Sequence, residues 1–246
     1  MSLQGKVAVV TGGASGFGEG IGRRFAADGA HVVIADLNKD AAEKLANDIG
    51  GLAVRTDVSR GDDVKALARA AIDRFGGIDI LVNNAGIGHK PQPLDTLSEE
   101  DFDRIVAINA KSVFLTAREI VPLMKASKRG AILNIASTGG VSPRPNLTWY
   151  NASKGWMITA TRAMAVELAP FGIRVNAINP VAGETPLLAT FMGEDTPQIQ
   201  AKFLASIPIG RFSTPQDIAA AAAFLCSDEA SMITGVALEV DGGRCI

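Results

Sequence analysis

Short runs of β-branched and aliphatic residues alternate with longer segments of helical periodicity along almost the whole chain. This alternation is typical of strand–helix–strand units repeated on a parallel sheet. Most of the runs are apolar without interruption, as expected when helices cover both faces of the sheet. The pattern therefore predicts a doubly wound α/β fold. Its seven predicted strands are Val7–Val10, Val32–Ala35, Leu52–Val54, Ile80–Val82, Ala131–Ile135, Val175–Ile178 and Val236–Val240.

Helical segments fill the gaps between the predicted strands. Ser98 and Thr214 each stand three residues before an acidic residue, which is a capping pattern that predicts helix N-termini at both positions. The pattern also predicts long helices over Phe102–Lys125 and Asn151–Leu168, and a helix that begins near Glu19. These helices would provide the layers that cover the sheet.

The segment Val181–Ile209 shows neither a strand-like apolar run nor a helical periodicity. Four residues that disfavour regular structure interrupt it: Pro186, Gly193, Pro197 and Pro208. It is too long for an ordinary connection, and it follows the sixth strand at the sheet edge where α/β folds bind ligands. We therefore predict a substrate lid at residues 181–209. No repeat, low-complexity tract or linker divides the chain, so residues 1–246 are predicted to form a single domain.

Composition narrows the function classes. A chain of 246 residues with 47% hydrophobic content buries enough surface to fold without a disulfide or metal. A net charge of −2 lacks the basic footprint of a nucleic-acid-binding protein. No apolar run reaches membrane-spanning length, and the first residues lack the features of a signal peptide. The two cysteines lack metal-ligand spacing. Together these features predict a cytoplasmic protein without metal, membrane or nucleic acid.

A glycine-rich segment, Thr11–Gly18, joins the first strand to the following helix. Backbone N–H groups and the positive end of the helix dipole favour an anion at such a junction. The missing side chains at Gly12, Gly16 and Gly18 would let a pyrophosphate come close. Their spacing, G-x-x-x-G-x-G, differs from G-x-G-x-x-G, and taken alone it fits a plain turn equally well.

Asp36 ends the second strand about twenty residues after Gly16, where an acid can accept hydrogen bonds from the adenosine ribose. Its carboxylate would repel a ribose 2′-phosphate, and its neighbours Ala35, Leu37 and Asn38 include no arginine. We therefore predict NAD rather than NADP. The alternative is that Asp36 only caps a turn before Asn38.

Tyr150 and Lys154 are four residues apart, which places them on one face of a helix. Tyr150 is the only tyrosine in the chain. A phenol has a pKa of about 10, so a general base near neutral pH needs that pKa lowered by about three units, roughly 4 kcal/mol. Lys154 and an oxidised nicotinamide ring are the two available sources of positive charge. The alternative is an incidental aromatic residue and a solvated lysine on an amphipathic helix.

The motifs T-G-x-x-x-G-x-G at Thr11–Gly18, N-N-A-G at Asn83–Gly86 and Y-x-x-x-K at Tyr150–Lys154 together resemble the short-chain dehydrogenase/reductases over the whole chain. The resemblance implies a Rossmann fold and hydride transfer between a nicotinamide cofactor and an alcohol or carbonyl substrate. It also implies that Ser137 polarises the substrate oxygen, and that Asn109 disturbs its helix and holds a water beside Lys154. The predicted catalytic residues are Asn109, Ser137, Tyr150 and Lys154.

Most of the predicted cofactor contacts lie where strands end. The family pattern N-P-G-x-x-x-T appears after the sixth strand with Val181 in place of the glycine, so the fit beside the nicotinamide ring is open while Thr185 still matches. The complete predicted set is Gly12, Ser15, Gly16, Phe17, Gly18, Asp36, Asp57, Val58, Asn84, Ala85, Gly86, Tyr150, Lys154, Pro180, Gly183 and Thr185.

The resemblance leaves several functions open. The leading one is an NAD-dependent enzyme for secondary alcohols and ketones. A 3-oxoacyl-carrier-protein reductase and a sugar dehydrogenase share the same motifs, although the first usually goes with NADPH. A dinucleotide sensor without catalysis typically loses the tyrosine or lysine, and both are present here. The resemblance also implies a homotetramer. No motif explains His31, expected to begin a strand, or His89, expected either at the cleft or facing solvent, and we favour structural roles for both.

Overall fold

A computed structural model of the chain describes residues 2–193 and 196–246. All seven strands pair in parallel in one sheet of order β3-β2-β1-β4-β5-β6-β7. This confirms the predicted doubly wound sheet, and every strand bound lies within two residues of the prediction. The strands are β1 Val7–Thr11, β2 His31–Asp36, β3 Leu52–Arg55, β4 Ile80–Asn83, β5 Gly130–Ile135, β6 Ile173–Pro180 and β7 Ala237–Val240.

Helices connect the strands and lie on both faces of the sheet. They are α1 Gly16–Ala27, α2 Lys39–Ile49, α3 Gly61–Phe75, α4 Glu99–Val106, α5 Ser112–Ser127, α6 Thr148–Leu168, α7 Pro186–Met192, α8 Pro197–Leu204 and α9 Pro215–Cys226. A π-helical stretch, Ala107–Lys111, joins α4 to α5. The predicted helix Phe102–Lys125 is therefore continuous but changes its hydrogen-bonding pattern near its middle.

Alternate residues of each strand feed two separate cores. Val10 of β1 packs with α1, α2 and α9, whereas its neighbour Val9 packs with α3, α5 and α6. Val9, Val10 and the corresponding positions of β2 and β4 are fully buried. Burial on both faces explains why these strands are uninterrupted apolar runs.

Two of the three predicted helix starts are observed with the predicted capping residue. The Ser98 hydroxyl accepts from the Asp101 N–H, and Thr214 and Asp217 form a complete capping box. The third prediction was wrong by three residues, because Ser15 already has the extended conformation of an N-cap and α1 begins at Gly16 rather than near Glu19.

The segment 181–209 is more regular than the sequence suggested. Pro186 and Pro197 stand at the first positions of α7 and α8, where the missing N–H costs no hydrogen bond, and Gly193 ends α7. The prolines thus start helices instead of breaking them. Glu194 and Asp195, which belong to the predicted lid, lie outside the described residues.

Among the described helices, none is both long enough and apolar enough to cross a lipid bilayer.

Candidate active site

A cleft of about 530 Å³ opens at the carboxyl ends of the central strands. Its walls come from the glycine-rich segment, the ends of β2 to β6, the first turns of α6, and the helices α7 and α8. Clefts at this edge of an open parallel sheet are the usual ligand sites of α/β folds. We call the wall formed by Gly12–Gly86 and Pro180–Thr185 the cofactor half, and the wall around Tyr150, with α7 and α8, the substrate half.

The glycine-rich segment is held by protein contacts as well as shaped for a ligand. The side-chain amide of Asn84 donates to the carbonyl oxygens of Thr11 and Gly12, both at 2.9 Å. A Cβ at Gly18 would collide with the Gly12 carbonyl oxygen and lie 2.5 Å from Asn84 Nδ2. Gly18 is accordingly not part of the cleft wall, although the sequence placed it among the cofactor contacts. Its missing side chain lets α1 pack against the loop.

The first turn of α1 faces the cleft through Ser15, Gly16 and Phe17. Ser15 is the N-cap residue, and its hydroxyl makes no capping hydrogen bond to the helix. The backbone N–H groups of a first helical turn have no partner within the helix, so they and the helix dipole favour an anionic group.

Asp36 lies in the cleft wall at the end of β2. One carboxylate oxygen accepts from the Ala14 N–H at 3.0 Å, and the other accepts from the Asn38 N–H at 2.9 Å. A carboxylate can accept about four hydrogen bonds, so acceptor capacity remains on the cleft side. Asp36 does cap the turn at Asn38 through one oxygen, as the alternative held. Its place in the cleft wall also suits a hydrogen bond to a ribose.

The other predicted contacts at strand ends also line the cleft. Hydrogen bonds from Ser59 hold the pKa of the Asp57 carboxyl below its usual range. The Ser59 hydroxyl donates to Asp57 Oδ1 at 2.6 Å. Thr185 caps α7 without using its side chain, so its hydroxyl stays available to the cleft. Val181 lines the cleft and is buried, next to β7. The remaining predicted residues in the cleft wall are Val58, Ala85, Gly86, Pro180 and Gly183.

Tyr150, Ser137 and Lys154 meet in the middle of the cleft. Tyr150 and Lys154 lie one turn apart on α6, and Ser137 follows β5. The Ser137 side chain lies close enough to the Tyr150 hydroxyl to oppose the rise in its pKa, and the Ser137 oxygen accepts from the Gly139 N–H at 3.0 Å. Lys154 Nζ donates to the Ile135 carbonyl oxygen at 2.8 Å and lies 6.0 Å from the centre of the Tyr150 ring.

Burial changes the proton affinities of this group in a direction the sequence did not predict. Burial raises the pKa of Tyr150 to about 12, and the Ser137 side chain only partly opposes this rise. Burial also lowers the pKa of Lys154 to about 8. The sequence named Lys154 and an oxidised nicotinamide ring as sources of the positive charge that a phenolate needs. Burial works against the first source, because it removes water from the phenol and from the lysine alike.

Asn109 lies in the π-helical stretch and is fully buried. Its carbonyl oxygen accepts from the Ile87 N–H at 2.9 Å, and its amide donates to the Ile87 carbonyl and to the Ser153 hydroxyl at 3.0 Å. It is not part of the cleft wall. A Cβ at Gly86 would lie 3.3 Å from Lys154 Nζ and 3.5 Å from Asn109 Oδ1, so both atoms approach the same glycine.

A buried polar network behind the site went unpredicted. The Asn83 amide donates to Asn134 at 2.9 Å, Asn134 donates to the Thr161 hydroxyl at 2.8 Å, and the Thr116 hydroxyl donates to Asn83 at 2.8 Å. These side chains tie β4, β5, α5 and α6 together beneath the catalytic residues. Polar residues inside otherwise apolar strands were the available signal, since a buried amide requires partners.

The substrate half contains residues that no motif identified. The ring centre of Phe191, on α7, lies 4.7 Å from that of Tyr150. Arg144 precedes α6 and places its guanidinium carbon 4.4 Å from the ring centre of Phe203, on α8. All four side chains line the cleft. Their signal was weak: two phenylalanines in a predicted lid and one arginine in a short loop.

The two histidines differ in environment. His31 begins β2, as expected, and stacks on Phe75 with ring centres 5.1 Å apart. His89 is buried and its Nδ1 hydrogen-bonds the Lys90 carbonyl, so the solvent-facing alternative was wrong. His89 does not line the cleft. Within the described residues, no group of three or more His, Cys, Asp or Glu side chains is arranged to hold a metal ion.

The cleft fits a nicotinamide dinucleotide on the evidence of its own donors and acceptors. Ser15 leaves the first turn of α1 open to phosphate oxygens, Asp36 offers acceptors to a ribose, and Thr185 keeps its hydroxyl for a polar group. All three positions belong to the wall of the same cleft. Tyr150 and Lys154 stand where this half meets the substrate half.

Comparisons with known proteins agree with this geometry. The family described as enoyl-(acyl carrier protein) reductase matches residues 12–244. The crystal structure of a 3-ketoacyl-(acyl-carrier-protein) reductase from Brucella melitensis, complexed with NADH, is 56% identical, covers 100% of both chains and has a TM-score of 0.95. The 4-formylbenzenesulfonate dehydrogenase of Comamonas testosteroni is 49% identical over 100% of both chains. A short-chain type dehydrogenase/reductase from Mycobacterium marinum is 34% identical, covers 99% and 96% of the two chains and has a TM-score of 0.91.

Proposed function

Because the chain belongs to the short-chain dehydrogenase/reductase family, we propose that this oxidoreductase uses NAD to interconvert a secondary alcohol and a ketone. The observation that carries the proposal is the buried Tyr150 in the cleft wall, in the same lining as Ser137 and one helical turn from Lys154. Tyr150 is the acid/base, Ser137 holds the substrate oxygen, and Lys154 and Asn109 complete the catalytic set.

A bound nicotinamide dinucleotide would supply the hydride acceptor or donor and, when oxidised, a positive charge. The residues proposed to hold it are Gly12, Ser15, Gly16, Phe17, Asp36, Asp57, Val58, Asn84, Ala85, Gly86, Tyr150, Lys154, Pro180, Gly183 and Thr185. Gly18 supports the loop from behind. Asp36 favours NAD over NADP because its carboxylate would lie against a 2′-phosphate. The NADH found with the Brucella relative supports this preference.

The protein moves the proton, and burial decides in which form Tyr150 begins. A phenol with a pKa of about 12 is protonated at neutral pH, so it can donate to a carbonyl oxygen during reduction. Oxidation of an alcohol needs the reverse transfer, and hence a phenolate that added positive charge stabilises. Lys154 donates its ammonium to the Ile135 carbonyl, and Lys154 Nζ and Asn109 Oδ1 both approach Gly86. We propose that protons leave past these two side chains.

The substrate lid remains a proposal for residues 181–209. Its support is that Phe191 of α7 covers the ring of Tyr150 and that Phe203 of α8 covers Arg144. A segment in this position excludes water from the reacting atoms when it is closed. We also propose that residues 1–246 act as one catalytic domain.

We propose a homotetramer, supported by large apolar side chains exposed on the helices that follow β4 and β5. Phe114 is 56% exposed, Trp156 45% and Val166 80%. Such side chains on adjacent helices suit an interface between copies of the chain. Light scattering that gives a stable monomer at micromolar concentration would exclude it. The proposed compartment is the cytoplasm, supported by two cysteines that form no disulfide.

A second candidate is reduction of 3-oxoacyl thioesters, which the Brucella relative's name favours. Asp36 counts against the NADPH that usually serves this reaction. The Comamonas relative is named for a compound that joins a formyl group to an aryl sulfonate. Aryl carbonyl compounds therefore belong in the same substrate screen as alcohols, sugars and thioesters.

Substitution of Tyr150 by phenylalanine tests the proposed chemistry. Removal of the hydroxyl should lower kcat by roughly 10²- to 10⁴-fold, the usual contribution of a general acid/base. NADH binding, measured by fluorescence titration, should stay within about fivefold, since loss of one hydrogen bond from the ring hydroxyl costs about 1 kcal/mol. Wild-type turnover in Tyr150→Phe would refute the assignment.

A further inference from the structure

Arg144 stands in the substrate half of the cleft with most of its hydrogen-bonding capacity unused. Asn151, the residue after Tyr150, donates to the Arg144 carbonyl oxygen at 2.8 Å, which fixes the loop against the start of α6. The Arg144 guanidinium donates through Nη2 to the Ser206 hydroxyl at 2.7 Å. Within residues 2–193 and 196–246 this is its only hydrogen bond, although a guanidinium carries five N–H donors.

A second arginine reaches the same wall from the C-terminal end of the described chain. Arg244 donates to the Ser142 hydroxyl at 2.9 Å and to the Ser142 carbonyl at 3.3 Å, and Ser142 lines the cleft. The Nε of Arg244 is buried without a hydrogen-bond partner. Burial, and then the charge of Arg244, lower the pKa of Arg144.

Buried or cleft-side arginines elsewhere in the described chain are hydrogen-bonded more fully: Arg174, which also has no ion pair, donates to the carbonyls of Leu225, Ser227 and Ile233. Arg211 binds both carboxylate oxygens of Asp217, at 2.6 and 2.9 Å. No described carboxylate forms an ion pair with Arg144 or Arg244. Two partly buried positive charges that no described carboxylate pairs with repel each other and favour a bound anion.

We propose that Arg144, assisted by Arg244, binds an anionic group of the substrate, a carboxylate or sulfonate remote from the reacting carbonyl. The proposal rests on the proposed function and specifies the substrate class of the same cleft. Tyr150 would hold the carbonyl oxygen, Arg144 the anion, and the rings of Phe191 and Phe203 would cover the body between them. The planar guanidinium suits both groups, because it offers paired N–H donors to two oxygens.

A matched pair of ketones tests the proposal, because 4-acetylbenzoate and 4-acetylbenzamide have nearly the same shape and differ in charge. We expect wild-type kcat/KM with NADH to be at least about tenfold higher for the benzoate, since a charge-assisted hydrogen bond contributes about 1.5–3 kcal/mol. In Arg144→Gln that ratio should fall to within about threefold of unity, mainly through the KM for the benzoate. Arg144→Lys should retain part of the ratio.

The matched control is Arg69→Gln, on the exposed outer face of α3, where the arginine pairs only with Asp73. It should keep the wild-type ratio. If Arg144 served only to hold Ser206 of the lid, Arg144→Gln would reduce kcat/KM for both ketones by the same factor. An unchanged ratio in Arg144→Gln, or a wild-type ratio below about threefold, overturns the proposal.

Binding measurements separate this proposal from the catalytic one. Calorimetric titration of the NAD⁺ complex, which cannot reduce a ketone, should give a dissociation constant at least about tenfold lower for 4-acetylbenzoate than for 4-acetylbenzamide. Tyr150→Phe should keep that difference while it loses turnover. Equal dissociation constants, or no binding of either ketone, refute the anion site even if the enzyme reduces 3-oxoacyl thioesters. Unchanged turnover in Tyr150→Phe refutes the acid/base role and leaves the anion site standing.

Discussion

The two halves of the cleft are built by different kinds of interaction. In the cofactor half, hydrogen bonds between side chains and backbone fix each loop, as Asn84 does with Thr11 and Gly12. In the substrate half, single contacts hold the wall, such as the rings of Phe191 and Tyr150 and the hydrogen bond from Arg144 to Ser206. A cofactor half of this kind is tied to fixed residue types at fixed spacing, whereas the substrate half can change with few constraints.

The difference explains how one scaffold can serve many substrates. The Asn84 amide has its two N–H groups committed to carbonyls of the neighbouring strand, so its replacement leaves buried acceptors unpaired. In contrast, the Arg144 guanidinium packs on the face of the Phe203 ring, and other pairs of side chains could fill the same part of the cleft wall. Specificity is therefore expected to reside in α7, α8 and the loop before α6.

Gly18→Ala should give the largest effect, because the cofactor half has no room behind the loop. The added Cβ would meet the Gly12 carbonyl oxygen, which belongs to the backbone and cannot turn aside. We expect a loss of about 3 kcal/mol in the free energy of unfolding and weaker NADH binding. Urea unfolding followed by circular dichroism measures the first, and fluorescence titration the second.

The control for this substitution is Gly77→Ala, since nothing lies within 4 Å of a Cβ at Gly77. It should change the free energy of unfolding by no more than about 0.5 kcal/mol. Equal stability of the Gly18 and Gly77 variants would contradict the packing role assigned to Gly18.

Asp36→Asn should alter cofactor choice next most strongly. Loss of the negative charge removes the repulsion of a 2′-phosphate, and the shared side-chain shape keeps one acceptor for Ala14. We expect wild type to favour NADH by at least about tenfold in kcat/KM, and the variant to reduce that preference about tenfold. Asp73→Asn, on the exposed surface of α3, should leave the preference unchanged. A wild type that uses NADPH equally well would refute the role of Asp36.

Phe191→Ala should have the smallest effect on the cofactor and a moderate one on the substrate. The ring covers Tyr150 from the lid, so its removal should raise the KM for the ketone roughly fivefold to tenfold through lost apolar contact. NADH affinity should stay within about twofold, since Phe191 makes none of the contacts of the cofactor half. An equal loss in NADH affinity would show that the two halves are not separable.

The sequence predicts the cofactor half far better than the substrate half, for a physical reason. The seven strands were found because burial on both faces leaves uninterrupted apolar runs, and Asp36 and Tyr150 were found because their spacing is fixed by strands and helices. The packing of Gly18 against Gly12 could not be predicted, because a missing Cβ serves a ligand and a packed helix alike and sequence does not distinguish the two.

The substrate half depends on tertiary contacts that leave no periodic signal. Phe191 and Arg144 reach the cleft only because α7 and the loop before α6 fold toward Tyr150. The raised pKa of Tyr150 could not be predicted either, since a lysine four residues away indicates charge but not burial. The sequence spacing shows that Tyr150 and Lys154 share a helix face, but the amount of water left around the two groups decides their proton affinities.

The central claim is that Tyr150 becomes a base only when positive charge is added to the cleft, and the single tyrosine of the chain makes this directly measurable. Phenolate formation is followed by ultraviolet absorbance near 295 nm as pH is raised, with and without saturating NAD⁺. With a pKa of about 12, the free protein should show no phenolate signal below pH 10 or so. Saturating NAD⁺ should lower the midpoint of this titration by at least about two pH units, and the Tyr150→Phe variant should show no phenolate signal. A phenolate signal near neutral pH in the free protein, or the same titration curve with and without NAD⁺, would contradict the account.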